Sequence, residues 1–338
     1  MRLAELGEAG LLARLTRALP GGSGVICGPG DDAAVLDLGG PEAVLFTTDT
    51  LVEEVHFSRA YISFRDLGYK SLAVSLSDIA AMGGRPTHAV VSLAVPAGIA
   101  VADIEELYAG LDEAAGGHGV SLVGGDTVRH PYGIVITVAL LGLAERGRVL
   151  YRGGAAPGDL FCVTGDLGAS AAGLFLFQNP GLGCPPEVER RLKAAHRRPK
   201  PRVAAGHILA ASDAVTAAED VSDGLAASLA HVCAASGVGC RLRAELLPIC
   251  AEVLALGRLT GKDPLEWVLS GGEDYELLYA VRPAAAGEVE GRLVAAGETV
   301  TWIGEALEPG AGLWIEHADG TRRPLVPAGY DAFRVNGV

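Results

Sequence analysis

Seven turns in this chain interrupt apolar runs with small residues and carboxylates: 28-GPGDDA-33, 47-TTDT-50, 77-SDIAAMGG-84, 124-GGDT-127, 164-TGDLG-168, 220-DVSDG-224 and 271-GGEDYE-276. One such turn is ordinary, because Asp accepts backbone N–H groups at turns and helix starts. For TGDLGASAAG that reading suffices, and Asp166 is expected to serve a turn ahead of a capped helix. Repetition changes the balance. Two unit charges ~4 Å apart repel by about 1 kcal/mol in water and by ~4 kcal/mol at an effective dielectric of 20. A fold that gathers these turns must neutralise them. The lysines stand only at 70, 193, 200 and 262, and the arginines lie mostly outside the turns. Divalent cations with oxygen ligands are the natural compensation, and Mg2+ is held by carboxylates together with substrate phosphates. Thr47, Thr48 and Ser222 add neutral oxygens as ligands or phosphate contacts.

The net charge of −14 sharpens this. No basic tract follows a nucleic-acid backbone, so nucleic acid is not an expected partner. A phosphorylated substrate is compatible with the charge only if metal ions bridge the two. With 49% hydrophobic and 20% charged residues, the chain buries a sizeable core, and 338 residues allow about two domains. The six cysteines have no C-x-x-C spacing and read as buried free thiols of a reducing cytoplasm. Glu5 and Glu8 break the apolar character that a signal peptide needs, and the Leu spacing there predicts a short amphipathic helix. The run 133-GIVITVALLGLA-144 is too short to span a bilayer as a helix and reads as a buried strand. A cytoplasmic protein without a membrane partner is expected.

Strand-like runs at Ala43–Thr47, Ala89–Val95, Ile134–Leu143, Leu160–Thr164, Gly239–Leu242, Tyr275–Val281, Val300–Ile303 and Leu313–His317 alternate with helical patterns at Phe64–Met82, Val101–Gly116 and Ser222–Ser236. This order predicts a mixed α/β fold. The Gly/Pro-rich segment 151-YRGGAAPGD-159 divides the chain into domains 1–150 and 151–338. Residues 179–202, with five prolines, read as a surface excursion.

Familiar phosphate and nucleophile motifs fit poorly. GPGDDA formally matches a dinucleotide fingerprint, but its acids would face the pyrophosphate and a strand follows it. 257-GRLTGKD-263 is one residue short of a P-loop, and there is no G-x-S-x-G or H-E-x-x-H. His56 alone among the histidines falls beside an acidic turn, in either a structural or a substrate-contacting role.

GPGDDAAVL, TTDTLVEEVHF, YKSLAVSLSDIAAMGGRP, LVGGDTVR, HRRPKPR, DVSDGL and LSGGEDYELL occur in that order over nearly the whole chain. Together they closely resemble the thiamine-phosphate kinases of the aminoimidazole ribonucleotide synthetase-like superfamily. The resemblance implies transfer of the ATP γ-phosphoryl group to thiamine monophosphate. It implies two α/β domains and a homodimer formed by paired N-terminal sheets. It assigns several Mg2+ ions to Asp32, Thr47, Thr48, Asp49, Asp78, Asp126, Asp220 and Asp223, with Asp49, Asp78 and Asp126 central to catalysis. ATP contacts map onto Tyr108, Gly125, Asp126, Arg152 and Ser222, and thiamine phosphate contacts onto His56, Glu273 and Tyr330. Glu273 is expected to face the cationic thiamine. Asp31 is expected to serve the GPGDD turn while its neighbour Asp32 binds metal. Two departures or openings remain: Ala332 stands where the family's tail has His, and HRRPKPR is either a basic connector or a phosphate contact. The rival readings are another ATP-dependent enzyme of the superfamily and a non-catalytic metal–nucleotide-binding regulator. The first is disfavoured because no reactive N-terminal Cys motif or C-terminal Cys is present.

Overall fold

The period-two pattern of EAVLFTTDTLV buries Ala43, Leu45 and Thr47 on one side of a strand and turns Phe46 and Thr48 to the other. That strand organises the first half of the chain. The computed structural model describes residues 2–19, 21–327, 329, 330 and 333; Ala332 lies outside them. The first half contains α1 (Leu3–Thr16), β1 (Val25–Cys27), β2 (Ala34–Leu36), β3 (Glu42–Val52), α2 (Phe64–Ala81), β4 (Arg85–Val95), α3 (Val101–His118), β5 (Ser121–Arg129) and β6 (Val135–Glu145). The second begins with β7 (Leu160–Thr164), α4 (Ala169–Gln178), α5 (Pro186–Arg197), α6 (Val203–Ala210), β8 (Val215–Asp220), α7 (Leu225–Ser236) and β9 (Gly239–Arg243). It ends with α8 (Ala251–Thr260), α9 (Pro264–Ser270), β10 (Leu277–Val281), α10 (Ala286–Ala295), β11 (Val300–Leu307), β12 (Leu313–Glu316) and β13 (Arg322–Pro324).

Two sheets result, ordered β1-β2-β3-β6-β4-β5 and β13-β12-β9-β11-β7-β10-β8. Among the strand pairs of the described residues, only β4–β5 and β12–β9 are parallel. The mixed α/β architecture is thus as expected. Helix α2 packs against β3, β4 and β6 of the first sheet and β8 of the second. It is capped by Ser63, whose hydroxyl accepts the Asp66 N–H, and it is buried on nearly every side, with Lys70, Ser71, Ser75 and Ser77 among the enclosed residues. Helix α3 lies against it with backbones almost touching: a Cβ on Gly68 would sit 1.8 Å from Leu107 O, and one on Gly110 1.9 Å from Arg65 O.

The other face of the first sheet is open and carries an apolar patch. Phe46 stands opposite Leu141 across β3 and β6, and Ala139 opposite Val90 across β6 and β4; Phe46, Leu141 and Val90 are all exposed.

The structure corrects three sequence expectations. Residues 179–202 are no mere excursion: α5 buries Val188, Leu192 and His196, in a cluster with Leu176, Val253, Leu256 and Trp267. The helix after TGDLG is capped not by Asp166 but by Asp274, which accepts the N–H of Gly168 at 2.7 Å and of Ser170 at 3.3 Å; Asp166 faces Arg191 at 3.5 Å. The N-terminal helix is broken at Gly7, where φ is +72°. Strands β1, β5, β8 and β13 add to those read from the sequence, and β2 is the strand expected after GPGDDA. β5, with its Gly-Gly-Asp centre, lacks the strand composition that a sequence reading relies on.

Candidate active site

Helix α2 brings Asp78 to the place where both halves of the chain deliver acids. Asp32, just ahead of β2, Asp78 and Asp220, at the end of β8, each offer a carboxylate oxygen, and these oxygens lie within 4.8 Å of one another. Thr47 and Asp49 point from β3 toward the same place, two residues apart on one face. The Thr47 hydroxyl donates to Asp78 Oδ2 at 2.5 Å. Ser75 donates to Asp49 Oδ2 at 2.7 Å and Ser77 to Asp220 Oδ2 at 2.5 Å.

Burial first, and then mutual repulsion, pushes the carboxyls of Asp78 and Asp220 well above the ordinary aspartate range. Asp32 and Asp49 move the same way, again chiefly through burial. Asp32 Oδ2 is buried and has no hydrogen-bond partner among the described residues. An orphaned carboxylate oxygen beside the buried Asp220 and the half-buried Asp78 is a donor set suited to a hard cation. Mg2+ fits it.

The two members of GPGDD do different things. Asp31 Oδ1 accepts the Asp32 N–H at 3.0 Å, and its Oδ2 accepts the Arg152 N–H at 3.2 Å. Asp32 turns its other oxygen to Arg152 Nε at 3.1 Å. Arg152 also reaches Glu219 Oε1 at 3.4 Å, and His231 Nδ1 lies 2.8 Å from the same oxygen. Glu219 was missed in the sequence. It is buried and leaves Oε2 unpartnered, and burial with the charge of Asp32 holds its carboxyl far above the usual range. Its one sequence signal is adjacency to Asp220 in AAED. Ser75, Ser77 and Lys70 were missed as well, because nothing in a helical stretch marks a hydroxyl or amine that faces another element.

A second region adjoins the first. The His56 ring accepts the Val52 N–H at Nδ1, 3.0 Å away, and stands 6.1 Å from the Tyr330 ring. Burial lowers its pKa, so the ring is neutral with its proton on Nε2. Glu273 lies close enough to influence both His56 and Tyr61. Its own carboxyl is raised by burial but held down at about 2 by Lys70 and His196. Glu273 N–H donates to Ser222 O at 2.6 Å, and Tyr330 N–H to Asp223 O at 3.3 Å, so the DVSDG and GGEDYE turns are laced together.

Other expected residues stand apart. The Thr48 hydroxyl points to the open sheet face and donates to Val138 O at 3.0 Å. Asp126 is exposed on β5, the edge strand, and is not among the clustered acids. Gly125 is required where it is, because a Cβ there would lie 1.9 Å from Val91 O. Tyr108 is exposed on α3. HRRPKPR makes a connector's contacts. His196 meets Glu273, Arg198 pairs with Asp66 at 3.0 Å and lies 4.1 Å over Tyr69, and Arg202 grips Glu276 and Glu298.

Two α/β halves that meet at a shared acid cluster define a class. The AIR synthase related N-terminal domain model matches residues 30–144, and the corresponding C-terminal domain model matches residues 156–314. Within that class the chain belongs to the thiamine-monophosphate kinase family. It is 37% identical to the Bacillus subtilis thiamine-monophosphate kinase over 92% of this chain and 95% of that one. It is 38% identical to the Escherichia coli K12 enzyme over 97% and 98%. Among solved structures, AaThiL complexed with AMPPCP and TMP superposes with a TM-score of 0.84 at 34% identity, covering 98% of each chain. The thiamine monophosphate kinase of Aquifex aeolicus gives 0.80 at 32%, covering 96% of this chain and 99% of that one. E. coli HypE, a hydrogenase maturation protein, shares the fold at 20% identity, with a TM-score of 0.70 over 96% and 98% of the two chains.

Proposed function

We infer that the protein is an ATP-dependent kinase that phosphorylates thiamine monophosphate to thiamine diphosphate. The observation that carries this is near-full-length kinship with thiamine-monophosphate kinases in a chain that gathers Asp32, Asp78 and Asp220 at one point.

Phosphoryl transfer depends on alignment and charge neutralisation more than on covalent help from the protein. An oxygen of the acceptor phosphate attacks the γ-phosphorus of ATP, and the bond to the β–γ bridging oxygen breaks to release ADP. The acceptor phosphate is largely ionised near neutral pH, so no general base is needed. The neutral His56, with Nδ1 engaged by its own turn, is consistent with that. Mg2+ ions, when bound, supply the positive charge that lets two phosphates approach. Asp32, Asp78 and Asp220 would hold them, with Asp49 and the Thr47 hydroxyl alongside.

Within this reading, residues 1–150 form the nucleotide and metal half and residues 151–338 complete the substrate site. Arg152 and Ser222 serve ATP from beside the cluster. Tyr108 serves it from α3 and Gly125 and Asp126 from the β5 edge, with Asp126 as a further metal ligand and catalytic residue. Thr48 and Asp223 are assigned as peripheral ligands, Thr48 through its backbone since its hydroxyl is engaged elsewhere. His56, Glu273 and Tyr330 line the acceptor site. The open face of the first sheet, with its apolar patch, pairs with its copy in a homodimer, and the protein works in the cytoplasm. Among the described residues no helix is long and apolar enough to cross a membrane.

The test is a coupled assay of ADP and thiamine diphosphate formation, with Mg2+ and with EDTA. Both products should appear in equal amounts, and only with Mg2+. ATP binding without ADP formation in the presence of thiamine monophosphate would overturn the assignment.

A further inference from the structure

Lys70 has no exposed surface at all. It sits on α2, two turns before Asp78, and its ammonium lies 2.9 Å from Glu273 Oε1. The approach is off the direction of a good hydrogen bond, and no other partner satisfies the ammonium among the described residues. Its charge is therefore what the site uses, since burying an ammonium is unfavourable unless a carboxylate answers it. The other oxygen of Glu273 lies 3.1 Å from His196 Nδ1, which also faces Ser170 Oγ at 3.1 Å.

Glu273 is held in a conformation it would not choose. Its φ is +66°, in the left-handed region that disfavours residues with a Cβ, and Tyr275 follows at φ +51°. Gly272 before it has no room for a Cβ, which would meet Ser222 O at 2.5 Å. The turn is closed by the Glu273 N–H to Ser222 O and the Tyr275 N–H to Val221 O at 2.9 Å. An ion pair from the first half of the chain thus pulls on a strained turn of the second half. Glu273 leads from this turn through His196, 3.1 Å away, to the Tyr61 ring 5.7 Å beyond it, with its charge felt at His56.

We propose that Lys70 is a positioning residue for the acceptor substrate, acting through Glu273: it fixes the 271–276 turn in its pocket-lining form and cancels the Glu273 charge. This rests on the thiamine-monophosphate kinase reading and changes one part of it. Glu273 already has a buried cation at 2.9 Å, so it orients the pocket and is not a free counter-ion for the thiazolium.

The replacement of Lys70 has a signature. Glu273 and Ser170 touch His196, the Tyr61 and Phe177 rings stand 5.7 and 6.0 Å from it, and Lys70 and Arg197 are the cations that lower its pKa after burial. Without Lys70, His196 becomes the cation nearest Glu273 and gains protons near neutral pH.

The experiment measures KM for thiamine monophosphate and for ATP separately, from pH 6 to 8, in wild type, Lys70→Met, Glu273→Gln and the double variant. Wild-type turnover tests the kinase reading by itself. Lys70→Met should raise KM for thiamine monophosphate by about tenfold or more and leave KM for ATP within about twofold. Its acceptor KM should fall toward low pH, and Glu273→Gln in the same chain should abolish that slope. Equal changes in both KM values, or a pH-independent acceptor KM in Lys70→Met, would overturn the proposal. If Lys70→Met fails to fold, the double variant, which buries no lone charge, is compared with Glu273→Gln. Equal, raised acceptor KM values with unchanged ATP KM support action of Lys70 through Glu273; a double variant that differs from Glu273→Gln, or an unchanged acceptor KM in both, refutes it.

Discussion

Ser77 on α2 donates its hydroxyl to Asp220 Oδ2 at 2.5 Å, across 143 residues of sequence. Both groups are buried. The contact places the acids of the second half against the helix that carries Asp78, so the cluster exists only when both halves are folded together. Perturbing either side should be felt at the same site.

Asp32 and Asp31 should respond unequally to neutralisation. Asp32 presents a buried, unpartnered oxygen to the cluster, whereas Asp31 spends its oxygens on backbone N–H groups. Asp32→Asn should lower kcat on the order of 100-fold and raise the Mg2+ requirement, with Asp31→Asn within about tenfold of wild type. Steady-state assays over a Mg2+ titration make the comparison, and equal losses would contradict the division of roles.

Stability should fall with rising pH when metal is stripped. Burial and mutual repulsion raise the carboxyls of Asp78, Asp220, Asp32 and Glu219 in the folded protein. Above the ordinary carboxylate pKa of about 4 the folded state then binds more protons than the unfolded state, so ionisation destabilises it. Glu273, held at about 2, acts in the opposite sense at lower pH. The imidazoles of His56, His196 and His231, whose pKa values burial lowers, oppose the trend only up to about pH 6.5 and are outnumbered by the raised carboxyls. Thermal unfolding in EDTA should show Tm dropping from pH 5 to 8, and Mg2+ should flatten the trend. A Tm that rises over this range in EDTA would contradict the argument.

Arg202 should matter far more than Arg191. Arg202 is largely buried and binds Glu276 through two nitrogens, at 2.6 and 2.5 Å, and Glu298 at 2.7 Å. Arg202→Met strands two buried carboxylates and should cost about 3–5 kcal/mol in chemical denaturation. Arg191 pairs with Asp166 at 3.5 Å with both side chains about half exposed, and its removal should cost about 0–1 kcal/mol.

Gly125→Ala should weaken the protein before any nucleotide is added. The new Cβ would press on Val91 O at 1.9 Å and push β5 off β4. A loss of at least about 1–3 kcal/mol is expected from overpacking of this kind, read as a lower Tm in nucleotide-free protein. An unchanged Tm with weaker ATP binding would assign the glycine to ligand contact alone.

Phe46→Glu should leave the fold intact and the protein monomeric. Phe46 and Leu141 face each other on the open side of the first sheet, and a charge there would be desolvated in a paired-sheet dimer. Sedimentation of variant and wild type at matched concentrations distinguishes the two states.

The sequence by itself determined the family, the mixed α/β class and which turns carry the acids, because these depend on local composition and on short motifs read in order. It also anticipated that Asp31 accepts backbone N–H groups in the GPGDD turn, since a carboxylate ahead of a backbone N–H in a glycine turn has a local partner. It expected a capped α4 but not the residue that caps it, because Asp274 is more than 100 residues away from Gly168. It read residues 179–202 as surface, because prolines mark the ends of α5 and say nothing of Leu192 and His196 packing inward. It gave no sign that Glu219 is buried beside Asp32, that Lys70 meets Glu273, or that the Thr48 hydroxyl faces away from its neighbours Thr47 and Asp49 toward Val138. These depend on which faces of strands and helices the tertiary structure brings together. A carboxylate's protonation and partners are set by that long-range burial, which chain order does not encode locally.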